Sequence, residues 1–255
     1  MIGLIKSEFR KLTSTRMTWV LAIVTVAMGA LYVSLYALLA GYDSGEGQAP
    51  LPDLTHEISV RMTYTAVSMG YITILVFGII GFTSEYRHRT ATLTYLATPQ
   101  RWKVMVAKFF TTGVFSAVIA VINLVINLPL ATWIVGTKPH WEMPADDVKS
   151  VAVATVVAFA LYGVLGIAVG ALIKNQVAAI VSALTWVMLI ERLFTFLLPD
   201  IGKWMPAGAA DAMLQARSLN GGTYLEPVQG GLLLFGYAVV FALIAAFTTT
   251  RQDVS

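Results

Sequence analysis

The sequence predicts an all-α integral membrane protein with six transmembrane helices, forming a single domain over residues 1–255. The hydrophobic share is 57% and the charged share only 12%, whereas a soluble domain carries about a quarter charged residues. The apolar residues are also gathered into six blocks, each long enough to cross a hydrocarbon core of roughly 30 Å as a helix. Helices are expected because an open strand would leave its backbone groups unpaired in lipid.

Charges, proline and glycine bound the predicted spans. The spans cover residues 17–40, 64–82, 104–136, 150–173, 177–198 and 229–250. No polar stretch between them exceeds about 30 residues, which is too short for a separate soluble domain. A porin is also excluded, because its strands would be about ten residues long with alternating polarity.

The distribution of Lys and Arg predicts that both termini lie in the cytoplasm. With this orientation, eleven of the 17 basic residues fall on the inner side, in agreement with the positive-inside rule. The six on the outer side are Arg61, Lys138, Lys149, Arg192, Lys203 and Arg217. The net charge of +3 is small and gives no case for binding nucleic acid.

The first sixteen residues predict an amphipathic helix at the membrane surface rather than a cleaved signal peptide. Apolar residues recur every three or four positions, and basic residues lie on the opposite face. The apolar stripe is Ile2, Ile5, Phe9 and Leu12, and the basic face is Lys6, Arg10 and Lys11. The basic face would suit an anionic inner leaflet. The alternative, compatible with the first, is that these residues only fix the topology of the chain.

The segment between the second and third spans, residues 83–103, predicts a short cytoplasmic helix that ends before Pro99. Glu85 is expected in its first turn, where the helix dipole favours a carboxylate, and Arg89 follows at the pairing distance of four residues. One face of this helix would suit docking into a groove on another protein. That face consists of Tyr86, Thr90 and Leu93.

Two polar pairs lie within predicted spans. Glu191 and Arg192 are expected near the outer interface, either as a structural ion pair or as part of an outer gate. Neighbouring residues point about 100° apart on a helix, so each should have its own partner. Asn123 and Asn127 share one face of the third span and either bond across a helix interface or line a translocation path.

Small residues and prolines mark two further features. Gly163, Gly166 and Gly170 form a stripe that predicts close helix packing, either within the chain or between two copies of it. Residues 199–228 contain Pro199, Pro206 and a run of alanines. One interpretation of this segment is an ordinary surface loop with Trp204 at the membrane interface.

Catalytic and nucleotide-binding motifs are missing from the sequence. There is no cysteine, and the three histidines, His56, His88 and His140, fall in predicted loops. A metal site and histidine chemistry within the membrane are therefore not expected. The one Gly-Lys pair, Gly202-Lys203, has Leu197 where a P-loop needs its first glycine. We expect no cofactor on this chain.

Three segments resemble the permeases of ABC-type-2 exporters. They are LIKSEFRKL at residues 4–12, EYRHRTATLTYLATPQR at 85–101 followed by Lys108, and GALIKNQVAAI at 170–180. The resemblance extends over essentially the whole chain, including the number and spacing of the spans. It implies a membrane subunit without its own ATPase site, which works with separate P-loop ATPase subunits that carry ATP and Mg²⁺.

The resemblance also implies which residues touch the ATPase. In that family the helix after the second span is the coupling helix, and the N-terminal amphipathic helix lies beside it. Carried over to this sequence, the coupling residues are Glu85, Tyr86, Arg87, Arg89, Thr90 and Leu93, with a smaller contact at Lys174, Asn175 and Gln176. The resemblance also implies short outer or re-entrant helices within residues 199–228, before the last span. Asn123, Asn127, Glu191 and Arg192 remain candidates for the translocation path or gate.

The sequence and the resemblance together predict an exporter subunit in the bacterial cytoplasmic membrane. It would pair with a second copy or a related permease, contact membrane lipid, and move an amphipathic drug, antimicrobial peptide or lipid. The alternatives are a membrane scaffold or sensor and an ATP-independent secondary carrier. A carrier would be expected to place ionisable residues near the midplane or to contain inverted repeats, and the sequence displays neither.

Overall fold

The computed structural model describes residues 1–42, 52–88, 90, 100–215 and 225–251. Within these ranges all regular structure is helical. Six helical stretches are long and apolar enough to cross a membrane, which confirms the predicted fold class. They are Arg16–Leu39, Glu57–Arg87, Arg101–Val135, Ala145–Ile173, Gln176–Leu197 and Pro227–Thr249.

The individual helices follow the chain in this order. Helix α1 covers Ile2–Ser14 and α2 covers Arg16–Leu39; the second span contains α3 (Glu57–Thr65), a 3₁₀ segment (Ala66–Gly70) and α4 (Tyr71–Arg87). Helix α5 covers Arg101–Val135 and α6 covers Ala145–Ile173; the fifth span contains α7 (Gln176–Thr185), a π-helical segment (Trp186–Ile190) and α8 (Glu191–Leu197). The chain continues with α9 (Pro199–Gly202), α10 (Pro206–Met213) and α11 (Pro227–Arg251).

The second span is longer at both ends than the predicted 64–82. It begins at Glu57 and continues through Arg87, because the charged residues near its ends are paired rather than left in solvent. Arg61 is bonded to two carboxylates, and Glu85 to two lysines. The prediction that Glu85 lies in the first turn of a separate helix is therefore wrong, since it lies near the C-terminal end of α4.

The centre of the bundle is the contact between α4 and α6. A methyl group added at Gly78 of α4 would lie 2.4 Å from the carbonyl oxygen of Gly163 and 2.9 Å from the Cα of Gly166. The backbones approach this closely only because these positions carry no side chain. The predicted small-residue stripe thus packs within the chain.

Helix α5 is continuous over 35 residues and contains Pro129. Its length is about 52 Å at 1.5 Å per residue, well beyond a hydrocarbon core of roughly 30 Å. The helix must therefore tilt or extend past the membrane surface. Its first two turns carry Lys108 to the same end of the bundle as α1.

Helix α1 forms over nearly the predicted residues and packs on the bundle through part of its predicted stripe. Phe9 and Leu12 contact the main hydrophobic core, and Leu4 packs beside Val104 of α5. Ile2, in the first turn of the helix, is 85% exposed. Glu8 lies on the packed face and is buried.

Candidate functional site at the N-terminal end of the bundle

Four charged side chains from three helices meet at the end of the bundle that carries α1. We call them the ionic cluster: Glu8 and Lys11 of α1, Glu85 of α4 and Lys108 of α5. Lys108 Nζ lies 2.8 Å from Glu8 Oε2 and 2.6 Å from Glu85 Oε1. Lys11 Nζ lies 2.6 Å from Glu8 Oε1 and 2.8 Å from the same Glu85 oxygen. Two positive and two negative charges make the cluster neutral.

The cluster is shielded from solvent on one side. The side chain of Lys108 is 2% exposed, and those of Glu8 and Glu85 are 7% and 11% exposed, whereas that of Lys11 is 40% exposed. Burial by itself would lower the pKa of Lys11, but hydrogen bonds to Glu8 and Glu85 outweigh it and the pKa is raised. Charges this well buried are tolerated only when each is paired and hydrogen-bonded.

The cluster joins the helices that border the segment after the second span. Glu85 lies two residues before the end of α4, and Lys108 lies in the second turn of α5. Tyr86 and Leu4 add apolar contacts to Val104, one turn before Lys108. The two ends of residues 88–100 are therefore fastened to each other and to α1.

The connection between α6 and α7 lies against the same place. The Lys174 ammonium lies 5.4 Å from the centre of the Tyr86 ring, and Arg87 Nη1 donates to Gln176 Oε1 at 3.3 Å. Asn175 caps α7 by accepting the Ala178 N–H at 3.1 Å. Lys174 has φ +57°, a left-handed conformation that reverses the chain between the two helices.

The structure thus brings together two regions that lie almost 90 residues apart in the sequence, since Arg87 and Gln176 are separated by 89 positions. Tyr86, Arg87 and residues 174–176 form one continuous surface beside the ionic cluster. The backbone N–H of Thr90 donates to the Glu85 carbonyl at 2.9 Å, so this residue continues directly from α4. Arg89 and Leu93 lie outside the described residues.

The asparagines of α5 connect three spans. Asn123 Nδ2 donates to the Val67 carbonyl at 2.9 Å, and Asn127 Nδ2 donates to the Val26 carbonyl at 3.0 Å and to Asn123 Oδ1 at 2.8 Å. Both side chains are fully buried. Gly29 of α2 makes room for them, since a methyl group there would lie 2.5 Å from Asn127 Nδ2. In this conformation both asparagines are packed between helices.

Glu191 and Arg192 do not pair with each other. Glu191 Oε2 accepts the backbone N–H of Ala207 at 2.6 Å, in the first turn of α10. Arg192 donates to Asp211 Oδ2 at 2.8 Å and to the Tyr71 hydroxyl at 3.1 Å. The expectation that each would have its own partner is confirmed.

These two residues hold α10 against the end of the bundle opposite α1. Every residue from Ala207 to Met213 is buried. Tyr71 stacks on Tyr162 with ring centres 4.5 Å apart, and the Tyr162 hydroxyl donates to the Pro206 carbonyl at 3.4 Å. Part of the predicted 199–228 segment is therefore helical and buried, and residues 216–224 lie outside the described part.

Sequence reasoning missed several functional candidates. In the sequence Glu8 and Lys108 stand only within the motifs that carry the family resemblance, and no pattern identifies Asp211 as the partner of Arg192. A usable signal existed for Lys108, because it is a charge within a predicted span, and such a charge implies a partner. In the described residues no group of three or more His, Cys, Asp and Glu is placed to hold a metal ion.

The helical fold agrees with a comparison against known families. Residues 4–190 match the model of a family described as ABC-2 family transporter protein. Members of the family are membrane subunits, and their ATPase is carried by a separate protein. No curated protein matches the chain in sequence. With the match extending over more than half of its length, the chain belongs to the ABC-2 transporter family.

Proposed function

We propose that this chain is the permease subunit of an ATP-driven exporter, with its N-terminal end in the cytoplasm. The observation that carries the proposal is the ionic cluster. It fastens α1, α4 and α5 together at the base of the segment that would meet the ATPase. A second permease copy and two ATPase subunits would complete the transporter in a bacterial cytoplasmic membrane.

The docking surface would be formed by residues 86–98 together with Lys174, Asn175 and Gln176. Movement of the ATPase would act on the ends of α4 and α5. Because the cluster links these ends to each other, they would move as one body rather than slide apart. Glu85 takes part through this linkage, since its side chain is 11% exposed and bonded to two lysines.

Switching between inward-open and outward-open states requires that ATP bind the two states with different affinity. We assign the outer gate to α10 and to the residues that fix it, Glu191 and Arg192 with Asp211. This assignment is supported by the burial of α10 and by its attachment through side chains of the fifth span. Asn123 and Asn127 would keep the first three spans in register during the change.

The composition of the spans bears on the class of substrate. Apolar spans favour an amphipathic substrate such as a drug, an antimicrobial peptide or a lipid over a sugar. No large outer domain is present in the described residues to receive a substrate-delivery protein, and this favours export.

The test is to purify the chain with its ATPase and reconstitute the complex in vesicles. The variant Arg89→Glu reverses a charge in the docking surface, outside the ionic cluster, and should separate ATP hydrolysis from transport without loss of the folded protein. Lys149→Glu is the matched control, since its partner Asp146 is 93% exposed and lies at the opposite end of the bundle. Unchanged coupling in Arg89→Glu would refute the docking assignment. Absence of any ATPase partner would favour the scaffold or carrier.

A further inference from the structure

A cavity of about 580 Å³ opens beside the ionic cluster, between α1, α2 and the end of α4. Its volume lies within the range of small-molecule binding sites, roughly 300–1,000 Å³. The transport mechanism above uses Arg87 and Gln176 at the mouth of this cavity but gives the enclosed space no role. Its walls divide by polarity, with an apolar part deep in the bundle and a polar part at the mouth.

The apolar part is built from three helices. It is lined by Leu12 of α1, Met17 and Leu21 of α2, and Phe77 and Ile80 of α4. Phe77 precedes Arg87 by ten residues, which is about 15 Å along a helix. The cavity therefore extends by about this distance from its mouth into the hydrocarbon region. This depth is enough to hold a substantial part of an acyl chain.

The mouth carries a surplus of positive charge. Glu8 and Glu85 line the cavity, but both are neutralised by Lys11 and Lys108. Arg87 also lines it, and its one bonded side-chain partner in the described part of the chain is the neutral amide of Gln176. Among the described residues no carboxylate is bonded to Arg87, and a guanidinium of this kind beside an apolar channel is suited to an anionic head with a hydrocarbon tail, since Arg binds phosphate oxygens well.

We propose that this cavity binds one anionic phospholipid of the surrounding bilayer, with its phosphate at Arg87 and one acyl chain against Leu21, Phe77 and Ile80. The position agrees with the level of a lipid headgroup, since α1 is amphipathic and lies where the spans end. The bound lipid would fill the space between α1 and the bundle. The proposal does not depend on an ATPase partner.

The experiment uses the full chain in lipid nanodiscs that contain phosphatidylglycerol carrying a photoreactive group on one acyl chain. After illumination, labelled peptides are identified by mass spectrometry, and labelling of the exposed face of α11 serves as the internal reference. We expect labelling of residues 17–21 and 77–84 above this reference. A phosphatidylcholine probe with the same acyl chain should label them much less.

Two variants test the head and the tail separately. Arg87→Gln removes a hydrogen bond to a charged group, so labelling of the cavity should fall about tenfold. Ile80→Trp fills the apolar part and should abolish labelling while the mouth stays intact. Lys149→Gln, which changes an exposed lysine at the opposite end, should leave labelling unchanged.

Three results would overturn the proposal. Equal labelling by the two lipid probes, or unchanged labelling in Arg87→Gln, would exclude recognition of the anionic head. Binding of inorganic phosphate at Arg87, without labelling of 77–84 by the lipid, would identify a site for a free anion instead of a lipid. Loss of labelling when the ATPase is added would mean that the partner protein, rather than a lipid, occupies the cavity.

Discussion

Replacing Lys108 by methionine removes the most buried charge of the ionic cluster and leaves the two carboxylates with one lysine. Lys108 makes bonds of 2.6 and 2.8 Å and is 2% exposed, whereas Lys11, the remaining cation, is 40% exposed. One negative charge in the buried part of the cluster is then uncompensated. Removing one partner of a buried ion pair costs about 3–5 kcal/mol, and we expect Lys108→Met to destabilise the protein by that amount.

The assay is unfolding of the purified protein in mixed micelles, with helix content followed against denaturant concentration. The matched control is Lys149→Met, whose partner Asp146 is 93% exposed. An exposed pair contributes about 0–1 kcal/mol, so the control should hardly change the free energy of unfolding.

A second substitution separates charge balance from packing. Glu8→Gln combined with Lys108→Met leaves Glu85 paired with Lys11 and restores neutrality. The double variant should therefore be more stable than the sum of the two single changes predicts, by roughly 0.5–3 kcal/mol. A loss below about 1 kcal/mol in Lys108→Met, or additivity of the two changes, would refute the argument that the cluster is a buried, mutually compensated network.

Three further substitutions test other contacts. Gly78→Leu should prevent the close approach of α4 and α6 and abolish recovery of folded protein, because an added methyl would lie 2.4 Å from a backbone carbonyl of α6. The control is Gly236→Leu, since a methyl group added at Gly236 would have no atom within 4 Å. Equal recovery of the two variants would contradict the packing of α4 on α6. Asn127→Leu should lower the free energy of unfolding by about 1–3 kcal/mol, since it removes the donor to the Val26 carbonyl of α2 and to the buried Asn123 Oδ1 of α5. An unchanged unfolding curve would exclude this role. Asp211→Asn should release α10 from Arg192 and make reconstituted vesicles leak cargo without ATP, whereas tight vesicles would argue against an outer gate there.

The six spans could be predicted from the sequence because hydropathy is a local property of about 20 residues. The ends of the second span could not be predicted in this way. A prediction from sequence stops a span where charged residues begin, because unpaired charges are not tolerated in lipid. At Arg61 and Glu85 this rule fails, because both charges are bonded to partners brought from distant segments. The pairing partners lie 86 and 23 residues away along the chain, and no local pattern reports them.

The candidate site could be predicted in part. The sequence indicated Tyr86, Arg87 and Lys174–Gln176 as one functional group only through the family resemblance, and the fold places them in contact. It could not reveal that Glu85 turns inward, because the choice between solvent and the ionic cluster depends on where α1 packs. The small-residue stripe of α6 was predictable from spacing, but its partner Gly78 required the fold.

The most direct measurement of the central claim is photocrosslinking in the native membrane, with a photoreactive amino acid placed at one of two ends of the bundle. One position is Gln176, next to Arg87, and the other is Lys149, at the opposite end. The account predicts that a P-loop ATPase is captured from position 176 and not from position 149. Capture from position 149, or capture of no ATPase from either position, would contradict the claim that the N-terminal end of the bundle is where this transporter is driven.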